Sequence, residues 1–352
     1  MSQPNAGPQP GIASPHRANP YRRLPLVRWV VQVAFLLFCL LIGIGFARFQ
    51  AQLVAGGPVT AHRSGAIEAF LPISALMGLK RLLLTGQYDA IHPAGLTIFI
   101  AALLSAFFAR KVFCSWVCPV GTLSRAVEWL GKKILWRKRK AETLIPTGLD
   151  RALLSLKYLL LAFFGYIVLW QMDVPAIEAF MFGQYNVAVD AKMLLFFTEM
   201  SRTVAVTLLA LAALSFVVKH FWCRYLCPYG ALLGLFSWGS PQKVVRDAST
   251  CIDCRACTRA CPVEIRVHEK DAALTPDCTG CLSCVAACPV NDCLTVGRKG
   301  QAGWSPWWLP AAGLGIILLL WAVARLTGHW NTSIPLPDLA DAYRQAKTLA
   351  HP

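Results

Sequence analysis

The sequence predicts an α-helical polytopic membrane protein of about five spans, with an internal two-span repeat and a small α+β cysteine-rich domain before the last span. Three observations carry this. The 352 residues are 56% apolar with a mean hydropathy of +0.50, more than an ordinary soluble domain carries. Apolar runs near the roughly 20 residues that a helix needs to cross the hydrocarbon recur along the chain. Eight of the 14 cysteines fall between Cys251 and Cys288, in two copies of Cys-x-x-Cys-x-x-Cys-x-x-x-Cys-Pro.

In chain order, residues 1–26 are polar and rich in proline and read as a disordered tail. The first apolar run, 27–47, is expected to stay as an anchor, because no small-residue cleavage site follows it cleanly. Between 66 and 84 Lys80 and Arg81 interrupt an apolar stretch, which reads as a surface-lying amphipathic or re-entrant segment. Further spans are expected over 91–109, 152–170, 204–218 and 306–323, the fourth being short. The domains follow: a membrane domain over 27–240, a cysteine-rich domain over 241–303, a fifth transmembrane helix over 304–325 and a tail over 326–352, expected to be only partly ordered. Trp304, Trp307, Trp308 and Trp321 fit an interfacial belt.

A repeat organises the membrane domain. Phe113-Cys114-x-x-x-Cys118-Pro119-x-Gly121-x-Leu123 matches Trp222-Cys223-x-x-x-Cys227-Pro228-x-Gly230-x-Leu232, and Trp129 and Trp238 follow at equal distance. Upstream, Ile67-Glu68-Ala69-Phe70 recurs as Ile177-Glu178-Ala179-Phe180. Both copies run the same way through the bilayer, which suggests a two-fold axis along the membrane normal.

Basic residues set the orientation. The segment 110–151 carries ten Lys or Arg and the N-terminal stretch through the start of the first run carries Arg17, Arg22, Arg23 and Arg28 without an acid, whereas the loops 48–90 and 171–202 hold four and two. The positive-inside rule places the N-terminus, the loop near residue 130 and the cysteine-rich domain in the cytoplasm, and the C-terminal tail in the periplasm, of a bacterial inner membrane protein. The net charge of +16 is then topology and contact with the lipid bilayer, not nucleic-acid binding, for which no motif is present.

The cysteine runs point to iron. Zinc sites group cysteines in pairs, and disulfides need an oxidising compartment, so two [4Fe–4S] clusters fit the runs of four best. The double run resembles that of bacterial two-cluster ferredoxins, in which the fourth cysteine of each run ligates the other cluster. The resemblance implies that Cys251, Cys254, Cys257 and Cys288 hold cluster I, and Cys278, Cys281, Cys284 and Cys261 hold cluster II. If the repeats pair, Cys114, Cys118, Cys223 and Cys227 converge as a further metal or cluster site, since a four-residue spacing shares a helical face and thiolates select Fe–S, zinc or Cu(I). The competing reading is four buried small side chains. Cys39 and Cys293 exceed the ligand count and read as packing residues.

On the Cys-x-x-x-Cys-Pro pairs followed by the two ferredoxin runs, the chain resembles the membrane-bound polyferredoxins. These include the membrane subunit of the quinol dehydrogenase serving periplasmic nitrate reductase, the nitrous-oxide-reductase regulatory protein and the cytochrome oxidase maturation ferredoxin. The resemblance covers residues 25 to 300. It implies an electron-transfer subunit of an oxidoreductase system, with a redox partner such as a periplasmic or membrane cytochrome or flavoprotein, and possible use of quinone. Quinol dehydrogenase, copper reductase and redox-sensing assembly factor are the alternative functions. Ser64-Gly65-Ala66 resembles the start of a flavin-attachment motif, but Ile67 stands where the acceptor belongs, so no covalent flavin is expected.

Four side chains remain. His92 and His220 sit at membrane edges as candidates for a haem or quinone site, with the interfacial reading favoured and haem not expected. Glu68 and Glu178 either accept protons near membrane depth or cap the helices that follow.

Overall fold

A computed structural model describes residues 19–134, 145–298 and 303–349. Most of the tail expected to be disordered, and part of the basic loop, lie outside the described residues. The long helix α1, Leu24–Ala55, starts with proline in its first turn and ends where Gly56 takes φ 70°, the left-handed cap that glycine adopts without strain. Its Leu37, Phe38, Leu40, Leu41 and Ile44 are each more than half exposed, an apolar belt suited to lipid. The expected amphipathic segment forms a 3₁₀ turn, Gly65–Phe70, followed by α2, Pro72–Thr85. Next comes α3, Pro93–Ala109, whose Ala94, Ala101, Ala102, Ala106 and Ala109 are buried. Small side chains let neighbours approach closely, and α2, Pro228–Trp238 (α10) and Trp308–Leu326 (α13) pack around α3, as does the 3₁₀ turn.

The remaining elements of the membrane part are α4, Pro119–Ile134, α5, Thr147–Tyr166, α6, Val174–Met181, α7, Gln184–Val187, α8, Val189–Thr198, α9, Arg202–Val217, and α10, Pro228–Trp238. Among the described residues, three helices are long and apolar enough to cross a membrane: α1, residues 148–171, and α13, Trp308–Leu326. A fourth span exists if α8 and α9, bent by 76° at their junction, count together. The expected span 91–109 is the 17-residue α3, about 26 Å at 1.5 Å per residue against roughly 30 Å of hydrocarbon. Buried among its neighbours, α3 meets little lipid, so its length is not dictated by bilayer thickness.

The cysteine-rich domain pairs β1, Lys243–Arg246, antiparallel with β2, Leu294–Gly297. The two runs each supply a short helix, α11, Ala256–Arg259, and α12, Ser283–Ala287. Charged side chains seat this domain on the helices. Arg110, 1% exposed, donates from Nη1 to the Ser237 carbonyl at 2.7 Å and from Nη2 to those of Thr275 and Ala273 at 2.6 and 3.3 Å. Asn19 donates to the carbonyls of Val285 and Cys288, both at 2.9 Å.

At the opposite end the tail is more ordered than expected. Helix α14, Leu336–Gln345, packs on α1 through Tyr343, whose ring meets Phe46 and Phe49 edge-on. The Tyr343 hydroxyl donates to Asp190 at 2.7 Å, and Arg63 bridges Asp190 and Glu68 at 2.8 and 2.9 Å. Two buried carboxylates sharing one guanidinium, with the phenol donating to Asp190, fix the C-terminal helix where hydropathy alone shows no reason for order.

Candidate iron–sulfur sites

The two ferredoxin runs fold alike. Asp253 and Arg255 have φ of 50° and 58°, and Gly280 and Leu282, at the same positions in the second run, have 64° and 59°. Left-handed residues alternating with right-handed ones curl the backbone so that N–H groups face one concavity. One small cavity is lined by Cys251, Cys254, Cys257 and, from the second run, Cys288. Cys261 from the first run in turn neighbours Cys278 and Cys281, and Cys284 neighbours all three. The structure places Cys288 with the first three cysteines of the first run and Cys261 near those of the second, with Cys257 also near Cys284.

The two sets differ in surroundings. Cys254 is exposed, as is Ile252 beside it, so the first set opens to solvent. The second faces the helices: Arg28, 5% exposed, donates to the Cys281 carbonyl at 2.6 Å, and Lys157 pairs with Asp277, next to Cys278, at 2.5 Å. Burial opposes ionisation of Cys281, but the Arg28 charge and the Ser283 donors outweigh it and hold the thiol below its ordinary value. Cys261 accepts the Ile265 N–H at 3.4 Å. Donors already aimed at sulfur, with cations alongside, suit the anionic thiolates that an iron–sulfur cluster needs.

Each Cys-x-x-x-Cys-Pro motif forms the same turn. A single π-helical turn, Phe113–Val117 in one copy and Trp222–Leu226 in the other, is closed by N–H of the second cysteine to the carbonyl five residues earlier, at 2.9 and 3.0 Å. The following proline opens α4 or α10, where its missing N–H costs nothing. The glycine two residues on is required in the first copy, because a Cβ at Gly121 would lie 2.5 Å from the Cys114 carbonyl oxygen. In the second, Gly230 N–H donates to the Cys227 sulfur at 3.2 Å.

All four thiols line one cavity of about 1310 Å³, and Cys114 neighbours Cys118, Cys223 and Cys227. Ser124 Oγ lies 3.6 Å from the Cys223 sulfur. Burial pushes the Cys118 thiol up to about 11 and that of Cys223 to about 12. The Cys251 thiol goes the other way, lowered by the Arg246 guanidinium and the Asp253 N–H. Alkylation of iron-free protein at neutral pH should therefore reach Cys251 at least about ten-fold faster than Cys118 and Cys223, since only thiolate reacts. Equal rates by peptide mass spectrometry would contradict the opposite surroundings of these thiols.

Among the described residues, no three His, Cys, Asp or Glu side chains stand close enough to share one metal ion.

The other candidates resolve differently. Glu68 accepts the Gly95 N–H at 3.0 Å and so caps α3, as one of its two readings expected. Glu178 instead pairs with Arg81 at 2.9 Å. His92 Nε2 is 2.7 Å from the Asn186 carbonyl, and His220 lies 2.9 Å from Glu128. The sequence reading missed Lys111 and Lys157, both buried and both lining the large cavity. Lys157 inside the run 152–170 was the available signal, because an ionisable residue within a span is a functional candidate.

Comparison with known proteins adds the following. A family described as "4Fe-4S binding domain" matches residues 91–139 and again 203–246, and one described as "4Fe-4S dicluster domain" matches 243–289. The Escherichia coli protein YccM, named for electron transport, is 37% identical over 340 residues, 95% of this chain and 94% of its own. The ferredoxin-type protein NapH of Haemophilus influenzae is 29% identical over 48% of this chain and 55% of its own. The methylamine utilization ferredoxin-type protein MauN of Methylorubrum extorquens is 29% identical over 56% and 63%. No solved structure matches the chain.

Proposed function

The chain belongs to the membrane-bound polyferredoxins, the ferredoxin-type proteins of electron transport, and from that premise we propose that it relays single electrons along a line of three iron–sulfur sites. The line runs from cluster I through cluster II to a third cubane on Cys114, Cys118, Cys223 and Cys227. Bound [4Fe–4S] groups supply one-electron transfer; the chain supplies their order and their charge environment. Cluster I is held by Cys251, Cys254, Cys257 and Cys288, and cluster II by Cys278, Cys281, Cys284 and Cys261.

One observation carries the order. The large cavity is walled by the four Cys-x-x-x-Cys-Pro thiols and also by Cys261 and Cys281, and by none of the cluster I cysteines. Both turns grip the cluster II loops: Ser115 donates to the Thr279 carbonyl at 2.7 Å, and Arg224 pairs with Glu264, three residues after Cys261, at 2.5 Å. The third site has two further supports. Each of the two segments matching the 4Fe–4S binding family contains only two cysteines, so one cubane requires both. Arg28, Lys111, Lys157 and Arg224 face the cavity while buried, and buried cations call for anionic neighbours.

In this reading α3 and α9 complete five spans of a bacterial inner membrane protein, and the cluster domain faces the cytoplasm, where its thiols stay reduced. A second reading, oxidation of quinol, is favoured by the same cavity, which runs along α1 from Arg28 to Gly43 and is walled by Phe35, Phe38 and Trp321, an apolar slot for an isoprenoid tail. The redox partner at the other end differs among relatives, since MauN is named for methylamine utilization.

Anaerobic purification with iron and acid-labile sulfide analysis tests the third site. Three cubanes give about twelve irons per chain, and a Cys114→Ala, Cys227→Ala double variant should lose about four of them while the ferredoxin signals persist. About eight irons in both proteins would overturn it.

A further inference from the structure

The three quartets leave Cys39 and Cys293, which the sequence reads as packing residues; Cys293 does pack in the core, and each also lines a cavity. Cys39 lines the large cavity near Cys118. Cys293, 2% exposed, lines the cluster I cavity beside two of its ligands, Cys251 and Cys288. It lies just before β2 and is locked against the end of β1: its carbonyl accepts the Asp247 N–H at 2.8 Å, and its sulfur lies 3.6 Å from the Asp247 carbonyl oxygen. The thiol therefore cannot swing to solvent.

A thiol has one proton to donate; here it is directed at the Asp247 carbonyl, with the two ligand sulfurs and the Thr250 side chain as its other neighbours. Reduction of a cluster adds negative charge that spreads onto its ligand sulfurs, which makes them the stronger acceptors. Other elements already contribute donors, Arg246 and the Asp253 N–H to Cys251 and the Val290 N–H to Cys288. His268, on the same wall, is engaged 2.8 Å from Thr258 Oγ1. Cluster II lacks a counterpart, because Arg266, at the equivalent position after Cys261, is exposed. Resting on the assignment of cluster I above, we propose that Cys293 is a positioning residue whose S–H donates to the Cys251 and Cys288 sulfurs and raises the reduction potential of cluster I alone. Cluster potentials respond to hydrogen bonds at sulfur.

The test is an EPR-monitored redox titration of the full-length, detergent-solubilised protein purified anaerobically, with Cys293→Ala and Cys293→Ser beside the wild type. Cys293→Ala should move one cluster, and only one, to lower potential by about ten-fold in its reduced-to-oxidised ratio, which is ~59 mV for one electron. Cys293→Ser, which keeps a donor, should recover most of the shift, with iron content unchanged in both. An unmoved potential in Cys293→Ala, an equal shift in both variants, or iron loss from Cys293→Ala would overturn the proposal. Absence of cubane signals from the wild type would instead overturn the cluster assignment on which it rests.

Discussion

Alanine at Cys288 should remove the cubane at the solvent end and spare the one against the helices, although Cys288 belongs to the second run. The crossed geometry makes this decisive in double variants. Cys288→Ala with Cys257→Ala strips ligands from one cluster and should cost about four irons, whereas Cys288→Ala with Cys284→Ala should cost about eight. Uncrossed runs give the reverse. Cys261→Ala is the mirror experiment and should pair with Cys284→Ala at the lower cost. In the proposed linear relay each cluster is a necessary step, so every one of these variants should lose electron transfer between the soluble and membrane ends. Iron analysis with EPR reads the difference that activity cannot.

Arg110→Met should loosen the cluster domain from the helices. The guanidinium is buried and donates to the Ala273 and Thr275 carbonyls of the cluster domain and to the Ser237 carbonyl of α10, and methionine fills much of its volume without a donor. Carbonyls left buried and unsatisfied cost about 1–3 kcal/mol each, so docking should weaken by roughly 3 kcal/mol or more. Limited proteolysis between α10 and β1 and a lowered unfolding temperature would report it. Arg110→Lys should rescue poorly, because one ammonium cannot present the planar fork that reaches carbonyls on both sides. A wild-type melting temperature and cleavage pattern in Arg110→Met would show that the domain is held by other contacts.

The legible parts of this molecule were those with spacing. The ferredoxin runs, the repeated Cys-x-x-x-Cys-Pro turns and the long apolar helices α1, α5 and α13 each leave a periodic signature that local chemistry enforces. What escaped depends on contacts between distant segments. Lys111 and Arg110 were counted as charges that fix orientation, yet both are buried, one facing the thiols and the other clasping the cluster domain. The shortness of α3 follows from its place at the centre of the bundle. The order of α14 depends on Asp190, more than 150 residues earlier in the chain. Cys293 looked superfluous by counting, because a count of ligands says nothing about a fifth thiol beside them.

The two cysteine turns are alike in backbone but not in grip. Ser115 and Arg224 hold the same position, one residue after the first cysteine of each turn. The hydroxyl reaches a carbonyl in the loop 278–284, while the guanidinium reaches Glu264 and Asp150. A symmetric cradle carries an asymmetric load, and the two halves have become specialised for its opposite sides. Exchanging these two side chains would leave every cysteine in place and still fail, with a charge forced under Thr279 and Glu264 left to Lys219 alone. The duplication is thus frozen: neither half can stand in for the other, and a protein built from two identical copies could hold the thiols but not seat the domain above them.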